Sequence, residues 1–455
     1  MPMISPMSMK PLFTRFALAA AIGLAGAGLR AAPDSGPFVP DSLELKDAIA
    51  FALGNNFTIR QARERIRQQT GVEIQVRARQ IPNVSASGSD TANSQAISQY
   101  IPPTTSTWTI ALQARQVLYA GGGVTASIKG ARLTREAAEL ELEGIINQQL
   151  LAVRTQFYTV LLGKEKITVQ EENVRLLEKQ LVDAQNRFNA GSTSNFDVLR
   201  AQVALANGQP PLIQARNDYR IAIEQLRQVL GFVSPAGGAG ATKVPEFSGS
   251  LAVGEPVKIE LTAALEAAHA GRPELQRLAR LEQAGEQNIT ANRAGYLPEF
   301  DLVGGYLWMR NPYSAAWNDN LHGWTAGVQA QWNIFDGRAT AGRVVQARSQ
   351  LEQAKLSLAE TMLAVDVQVR QAYSSLVEAW ELLQASAKTV EQAEEALRVA
   401  NVRYGAGTAT QLDVLTSQVA LTEARLNQLQ ASYGYHVALA ALRESIGQAD
   451  EFVHS

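Results

Sequence analysis

The chain of 455 residues carries 41 Lys and Arg against 43 Asp and Glu, a formal charge of −2 that provides no overall basic field for nucleic acid. It has no cysteine, which removes disulfides, thiolate metal sites and cysteine nucleophiles together. At 46% apolar residues it can fill a buried core, and its length allows two or three ordinary domains.

Residues 1–32 have the layout of an export signal. Lys10 and Arg15 form a basic start, Phe16–Leu29 is an apolar run of small residues, and Ala25–Ala27 and Ala31–Ala32 offer cleavage positions. The run is short for a membrane helix, which needs about 20 residues, and no later segment reaches that length. The expectation is an exported chain without a helical membrane span, and without a cysteine to carry a lipid anchor.

From residue 43 onward the chain says nearly the same thing twice, 216 positions apart. Pro82 and Pro298, Trp108 and Trp324, Gly121 and Gly337, Gly191 and Gly407, Asp197 and Asp413, and Gly231 and Gly447 all keep that offset. A period this long describes a duplicated architecture and not a solenoid of short repeats. The copies are predicted at 43–231 and 259–447, with a Gly/Pro-rich connector at 232–258 and a tail at 448–455.

Each copy opens with a helix-like stretch, Leu45 to about Arg79 in the first. Its counterpart starts at Leu261 and is interrupted by Pro273. Both stop before a proline (Ile81–Pro82, Leu297–Pro298), where the preceding residue is pushed out of the helical region. The period then changes to two. Trp324, Ala326, Val328, Ala330, Trp332 and Ile334 alternate with polar residues, and Trp108, Ile110, Leu112 and Ala114 do the same in the first copy. Preceding strands at Val84–Ser89 and Phe300–Trp308 complete two hairpins, about 83–119 and 299–335. One is linked by a polar loop holding Pro102–Pro103, the other by Asn311–His322.

Helical periodicity resumes at 120 and 336, giving helical hairpins at 120–231 and 336–447. Leu351, Ala354, Leu358, Met362, Val365, Val369, Ala372 and Leu376 follow steps of three and four, a coiled-coil-like seam. No proline occurs between Gly121 and Phe188, so that helix would run roughly 100 Å at 1.5 Å per residue. Tight breaks follow at Asn189–Gly191 and Gly405–Gly407, and helices return to Gly231 and Gly447. Pro210–Pro211 is expected to interrupt the first returning helix only.

A strand of about ten residues with one apolar and one polar face suits an outer-membrane barrel. A soluble sheet with one wet face is the simpler alternative. Four strands cannot close a barrel, for which about eight is the practical minimum, so an exported chain of this kind must oligomerise or leave lipid-facing edges unpaired. Two copies would give eight strands, too tight for a channel, and three would give twelve.

The LYAGG (118–122) and IFDGR (334–338) segments lie where strand passes into long helix. RFNAGSTSNFDVL (187–199) and RYGAGTATQLDVL (403–415) lie where the long helices turn. On these segments, across essentially the mature chain, the protein resembles the TolC-type outer membrane efflux protein family. The resemblance implies an α+β membrane protein: a homotrimer with a 12-strand β-barrel continued by a periplasmic α-helical barrel. It implies a passive export duct that docks, through a periplasmic adaptor protein, onto an inner-membrane transporter. Asp413 would repeat around the aperture as a cation-favouring ring, and Asp197, with Tyr404 as hydrogen-bond partner, would help hold the entrance closed. Gly191, Ser192, Gly407 and Thr408 would meet the adaptor, and Trp108, Trp308, Trp324 and Trp332 would form the aromatic girdle in outer-membrane lipid. Thr416 and Ala409 depart from the family pattern, which implies a weaker charge constriction with fewer closing bonds.

More local roles exist beside these. Ser194–x–x–Asp197 and Thr410–x–x–Asp413 read as capping boxes, and the glycines as left-handed turns. The four His, at 269, 322, 436 and 454, have neither helix-spaced partners nor Cys, which argues against a metal site, and no cofactor is expected. Gly121–Gly123 lacks the Lys of a phosphate loop, and no Gly-x-Ser-x-Gly elbow occurs. A periplasmic coiled-coil adaptor or scaffold would share the long helices but leaves the two Trp-bearing hairpins unexplained, and a periplasmic enzyme lacks a catalytic constellation.

Overall fold

The computed structural model describes residues 42–92, 94, 96, 106–232, 245–314 and 316–448; the export signal, Pro102–Pro103 and most of the tail lie outside them. The first copy runs β1 (Ser42–Leu43), α1 (Leu45–Asn55), α2 (Phe57–Arg77), a 3-10 turn (Ala78–Gln80), β2 (Asn83–Ala92), β3 (Ser106–Ala120), α3 (Gly123–Asn189) and α4 (Asn195–Leu230). The second runs β4 (Glu246–Phe247), α5 (Leu261–Gly271), α6 (Pro273–Arg293), a 3-10 turn (Ala294–Tyr296), β5 (Glu299–Arg310), β6 (Asn320–Gln331), α7 (Ala339–Gly405) and α8 (Gln411–Ser445). Every α-helix of the first copy starts 216 residues before its counterpart.

The long helices α3 and α7 each contain 67 residues, roughly 100 Å. Their returning partners are about half as long, at 36 and 35 residues. Each long helix is therefore completed by a second element nearer the sheet: α2 packs on α3, and α6 on both α3 and α7. The two long helices are not equally covered. α3 packs against α1, α2, α4, α6 and α8, whereas α7 packs against α5, α6 and α8.

The core sits mid-helix, where the short opening helix crosses the long hairpin of each copy. Ala48, Ala52, Val153 and Leu226 fill one cluster, and their counterparts Ala264, Ala268, Val369 and Leu442 fill the other. The β1–β4 pair, which the sequence does not announce, joins the start of the first copy to the connector in parallel. It seats Phe247 edge-on against Phe157 at 6.3 Å.

Two helical expectations need correction. The stretch from Leu45 to Arg79 is two helices, broken at Asn56. The Asn56 carboxamide accepts from the Thr58 and Ile59 N–H groups and donates to the Val229 carbonyl and Gln149 Oε1. The second copy makes the same break with Pro273 at the first helical position, so an asparagine cap and a proline start serve one bend. Conversely, α4 runs unbroken through Pro210 and Pro211. Both prolines are exposed, so the carbonyls they leave without partners face solvent, while Gly208 turns inward onto Leu177.

The four long strands form one antiparallel sheet in the order β2-β3-β5-β6, with the two copies joined at β3–β5. A bulge between Val117 and Tyr119 shifts the register near the helical end of β3. The strand expected over Trp324–Ile334 is displaced. β6 covers Asn320–Gln331, so Trp332, Asn333 and Ile334 lie beyond its end.

Candidate functional site: the helical turns and the two-faced sheet

At the far end of the long helices the chain reverses twice by the same device. Gly191 and Gly407 adopt φ of 71° and 73°, a conformation that glycine enters without strain. Ser192 N–H donates to the Arg187 carbonyl and Gly191 N–H to that of Phe188, both at 2.9 Å. Thr408 and Gly407 repeat the pattern on Arg403 and Tyr404, so each helix ends in a Schellman motif. The Ser192 and Thr408 hydroxyls add a second bond to the Arg187 and Arg403 carbonyls. All four turn residues are exposed.

The returning helices start at capping boxes. Asp413 Oδ2 accepts from Thr410 N–H at 2.7 Å and from Thr410 Oγ1 at 2.8 Å. Asp197 Oδ2 accepts from Thr193 Oγ1 at 2.5 Å and Ser194 Oγ at 3.1 Å. These bonds hold both carboxyls below the ordinary aspartate range: the Thr410 N–H leads at Asp413, and the Thr193 hydroxyl leads at Asp197. Both carboxylates therefore favour the ionised form, and they stand at helix N-termini, where the macrodipole also favours negative charge.

Asp197 does not bond Tyr404 within the chain. Its Oδ2 accepts from Thr193 and Ser194, and the Tyr404 ring receives the Arg187 guanidinium, 4.5 Å from its centroid. Beside the turns stand exposed apolar side chains that sequence reading passed over: Phe196 and Val203, and their counterparts Leu412 and Val419. Their recurrence at the 216-residue offset was the available signal.

At the opposite end the sheet separates its residues by face. Register places Ile110 and Leu112 of β3 opposite Trp308 and Tyr306 of β5, and Tyr306 and Leu302 opposite Trp324 and Val328 of β6, with Trp108 on the same face. Trp324 is 77% exposed and Val328 64%, so this apolar face is uncovered in the single chain. Trp108 and Trp308 meet edge to face at 5.6 Å. Trp108, Trp308 and Trp324 lie toward the hairpin loops. Trp332 lies at the helical end, donating its indole N–H to the Tyr296 carbonyl at 3.1 Å. The other face is the more polar one, with Ser85, Ser87 and Ser89 of β2, Gln113 and Arg115 of β3, and Thr325 and Gln329 of β6, although Val303, Leu307 and Met309 of β5 share it.

No cluster of His, Asp or Glu among the described residues is arranged to hold a metal ion. Among the described residues no helix is long and apolar enough to cross a membrane.

The sequence profile of a family described as outer membrane efflux protein matches this chain twice, over residues 48–232 and 264–448. The alkaline protease secretion protein AprF of Pseudomonas aeruginosa is 25% identical over 67% of this chain and 63% of its own length. The cobalt-zinc-cadmium resistance protein CzcC of Cupriavidus metallidurans is 25% identical over 85% of this chain and 86% of its own. The fold resembles the crystal structure of the Campylobacter jejuni CmeC outer membrane channel, with a TM-score of 0.76 at 13% identity, covering 90% of this chain and 88% of that one.

Proposed function

The chain belongs to the outer membrane efflux protein family, and from that premise we propose that it is the outer-membrane channel of a tripartite efflux or secretion system. The observation that carries this reading is the sheet: apolar on one face, polar on the other, with β2 and β6 each paired on one edge only. In lipid an open strand edge leaves backbone groups unsatisfied at several kcal/mol each, so closure must come from further copies. Three protomers would close a 12-strand barrel with the Trp-bearing face in lipid and the Ser/Thr/Gln face around water, and the long helices would continue it into the periplasm.

In this assembly Asp413 stands in a ring at the helical aperture, and Asp197 and Tyr404 belong to its closing contacts. Gly191, Ser192, Gly407 and Thr408 form the tips that meet a periplasmic adaptor, which links the duct to an inner-membrane transporter. The cargo follows that transporter; one relative is named for protease secretion and another for resistance to metal ions.

Extraction from outer membranes only by detergent, a heat-sensitive trimer on gels and single-channel conductance in planar bilayers are the expected results. A protein released without detergent and silent in bilayers would return the scaffold reading to first place.

A further inference from the structure

The polar face of the sheet is lined mostly by small or neutral residues, with one interruption. Arg115 of β3 and Glu299 and Asp301 of β5 share that face, and Arg79 reaches toward them from the turn before β2. Asp301 Oδ2 accepts from Arg115 Nε at 2.9 Å and Nη2 at 2.5 Å. Glu299 Oε1 lies 3.7 Å from Arg115 Nη2 and 4.0 Å from Arg79 Nη2. The group is confined to the junction of the two copies. The 216-residue counterparts of Arg115, Asp301, Glu299 and Arg79 are Gln331, Ser85, Asn83 and Gly295, none of them charged.

The four charges sum to zero, but they are not equally placed. The Asp301 side chain is 4% exposed and the Arg115 side chain 57%. Arg79 is 53% exposed and Glu299 35%. The Asp301 carboxylate lies beneath, the Glu299 carboxylate is partly exposed, and the two guanidinia are the most exposed of the four groups. Asp301 Oδ1 is buried without a partner, so the carboxylate is turned toward Arg115.

We propose that Arg115, held by Asp301 and flanked by Arg79, forms an anion-attracting ring at the helix-side end of the barrel lumen, favouring ions and cargo that carry carboxylate or phosphate groups. The proposal rests on the trimeric-channel reading, which multiplies the group by three around one axis. Guanidinium groups suit these anions because their planar donors match two oxygens at once. Because the group is neutral overall, its field is short-ranged. It should be felt at 0.1 M salt, where screening acts over about 10 Å, and fade at 1 M, where the range is about 3 Å.

The test is the reversal potential of single channels in a KCl gradient. R115Q/D301S gives the junction the residues that the other copy carries, and should lower the chloride-to-potassium permeability ratio about twofold at 0.1 M and hardly at all at 1 M. An unchanged ratio at low salt, in channels of normal conductance, overturns the ring. A second variant guards against misfolding: R115C/D301S in this cysteine-free chain can be modified after assembly. A cationic methanethiosulfonate reagent should restore anion preference, and an anionic one should push selectivity toward potassium; identical reversal potentials with both refute the ring. If wild-type trimers conduct nothing, the channel reading fails first and takes the ring with it.

Discussion

The uneven covering of α3 and α7 predicts how copies meet. Within the chain, a Cβ built on Gly130 of α3 lies 3.6 Å from the Gln287 Cβ of α6. Adding or subtracting 216 maps this contact onto Gln346 of α7 and Gly71 of α2, with the small and large partners exchanged. Gly71 and Gln346 are both exposed, and nothing lies within 4 Å of the position a Gly71 Cβ would take. Glycine inside a helix costs about 1 kcal/mol relative to alanine, so a vacant site there is better explained by a partner's glutamine. If quasi-equivalence holds across the seam, the two β-carbons stand about 3.6 Å apart there, inside the roughly 3.5–4.5 Å range of disulfides. Gly71→Cys with Gln346→Cys should therefore give covalent dimers and trimers on non-reducing gels after oxidation in membranes, collapsing to monomer on reduction. Gly130→Cys with Gln287→Cys calibrates the assay, since it should cross-link only within one chain. An intrachain bond that forms readily beside a seam pair that stays monomeric would refute the quasi-equivalent packing of α2 on a neighbour's α7.

Four further outcomes follow from local geometry. Gly191 and Gly231 share a positive φ, 71° and 75°, but a Cβ at Gly231 would stand 2.4 Å from the Asn55 carbonyl oxygen while Gly191 has open space. Gly191→Ala should thus lower stability by about 1 kcal/mol, and Gly231→Ala by clearly more than the about 1–3 kcal/mol of backbone strain alone, read as lost trimer yield. Asp413→Asn should reduce cation selectivity without loss of assembly. Because hydrogen bonds hold the Asp413 carboxyl below its ordinary value of 3.8, its contribution is full above that value and lost as pH falls through the folded one, so wild-type selectivity should stay flat from pH 7 to pH 5. His436 stacks on Tyr158 at 4.7 Å, and burial lowers its pKa from 6.5. Its stabilisation is complete above 6.5 and declines as pH falls toward the folded pKa, so His436→Phe should shrink the drop in melting temperature between pH 7 and pH 5. Ser192→Trp or Thr408→Trp keeps the Gly turn and should abolish cross-linking to the adaptor; intact cross-linking would move the contact elsewhere.

What could be read from the chain was mostly what adjacent residues decide. The capping boxes and Gly turns are short-range, and their residues fall where the letters put them. The Pro273 break was equally plain, but its twin at Asn56 was not. Asparagine is tolerated inside helices, and only its bonds to Val229 and Gln149 make it a cap here. β2 was faint because Val84, Ala86 and Gly88 alternate with serines too small to give strong contrast. The pairing of β3 with β5 brings Arg115 onto Asp301 across 186 positions, and no local pattern encodes such a contact. The contact of Arg187 with the Tyr404 ring spans a similarly long separation and was equally hidden.

The shortage of cover on α7 also bears on how the protein comes to exist at all. Leu356, Leu363 and Val367 are 64%, 68% and 53% exposed in the single chain. A newly exported protomer would then carry a well-buttressed first half and a second half that stays adhesive until neighbours arrive. In the proposed trimer its melting point should rise with its own concentration, as mass action requires. Periplasmic holdases should engage the second half longest, and dilution should loosen the two halves of this duplicated chain at different temperatures.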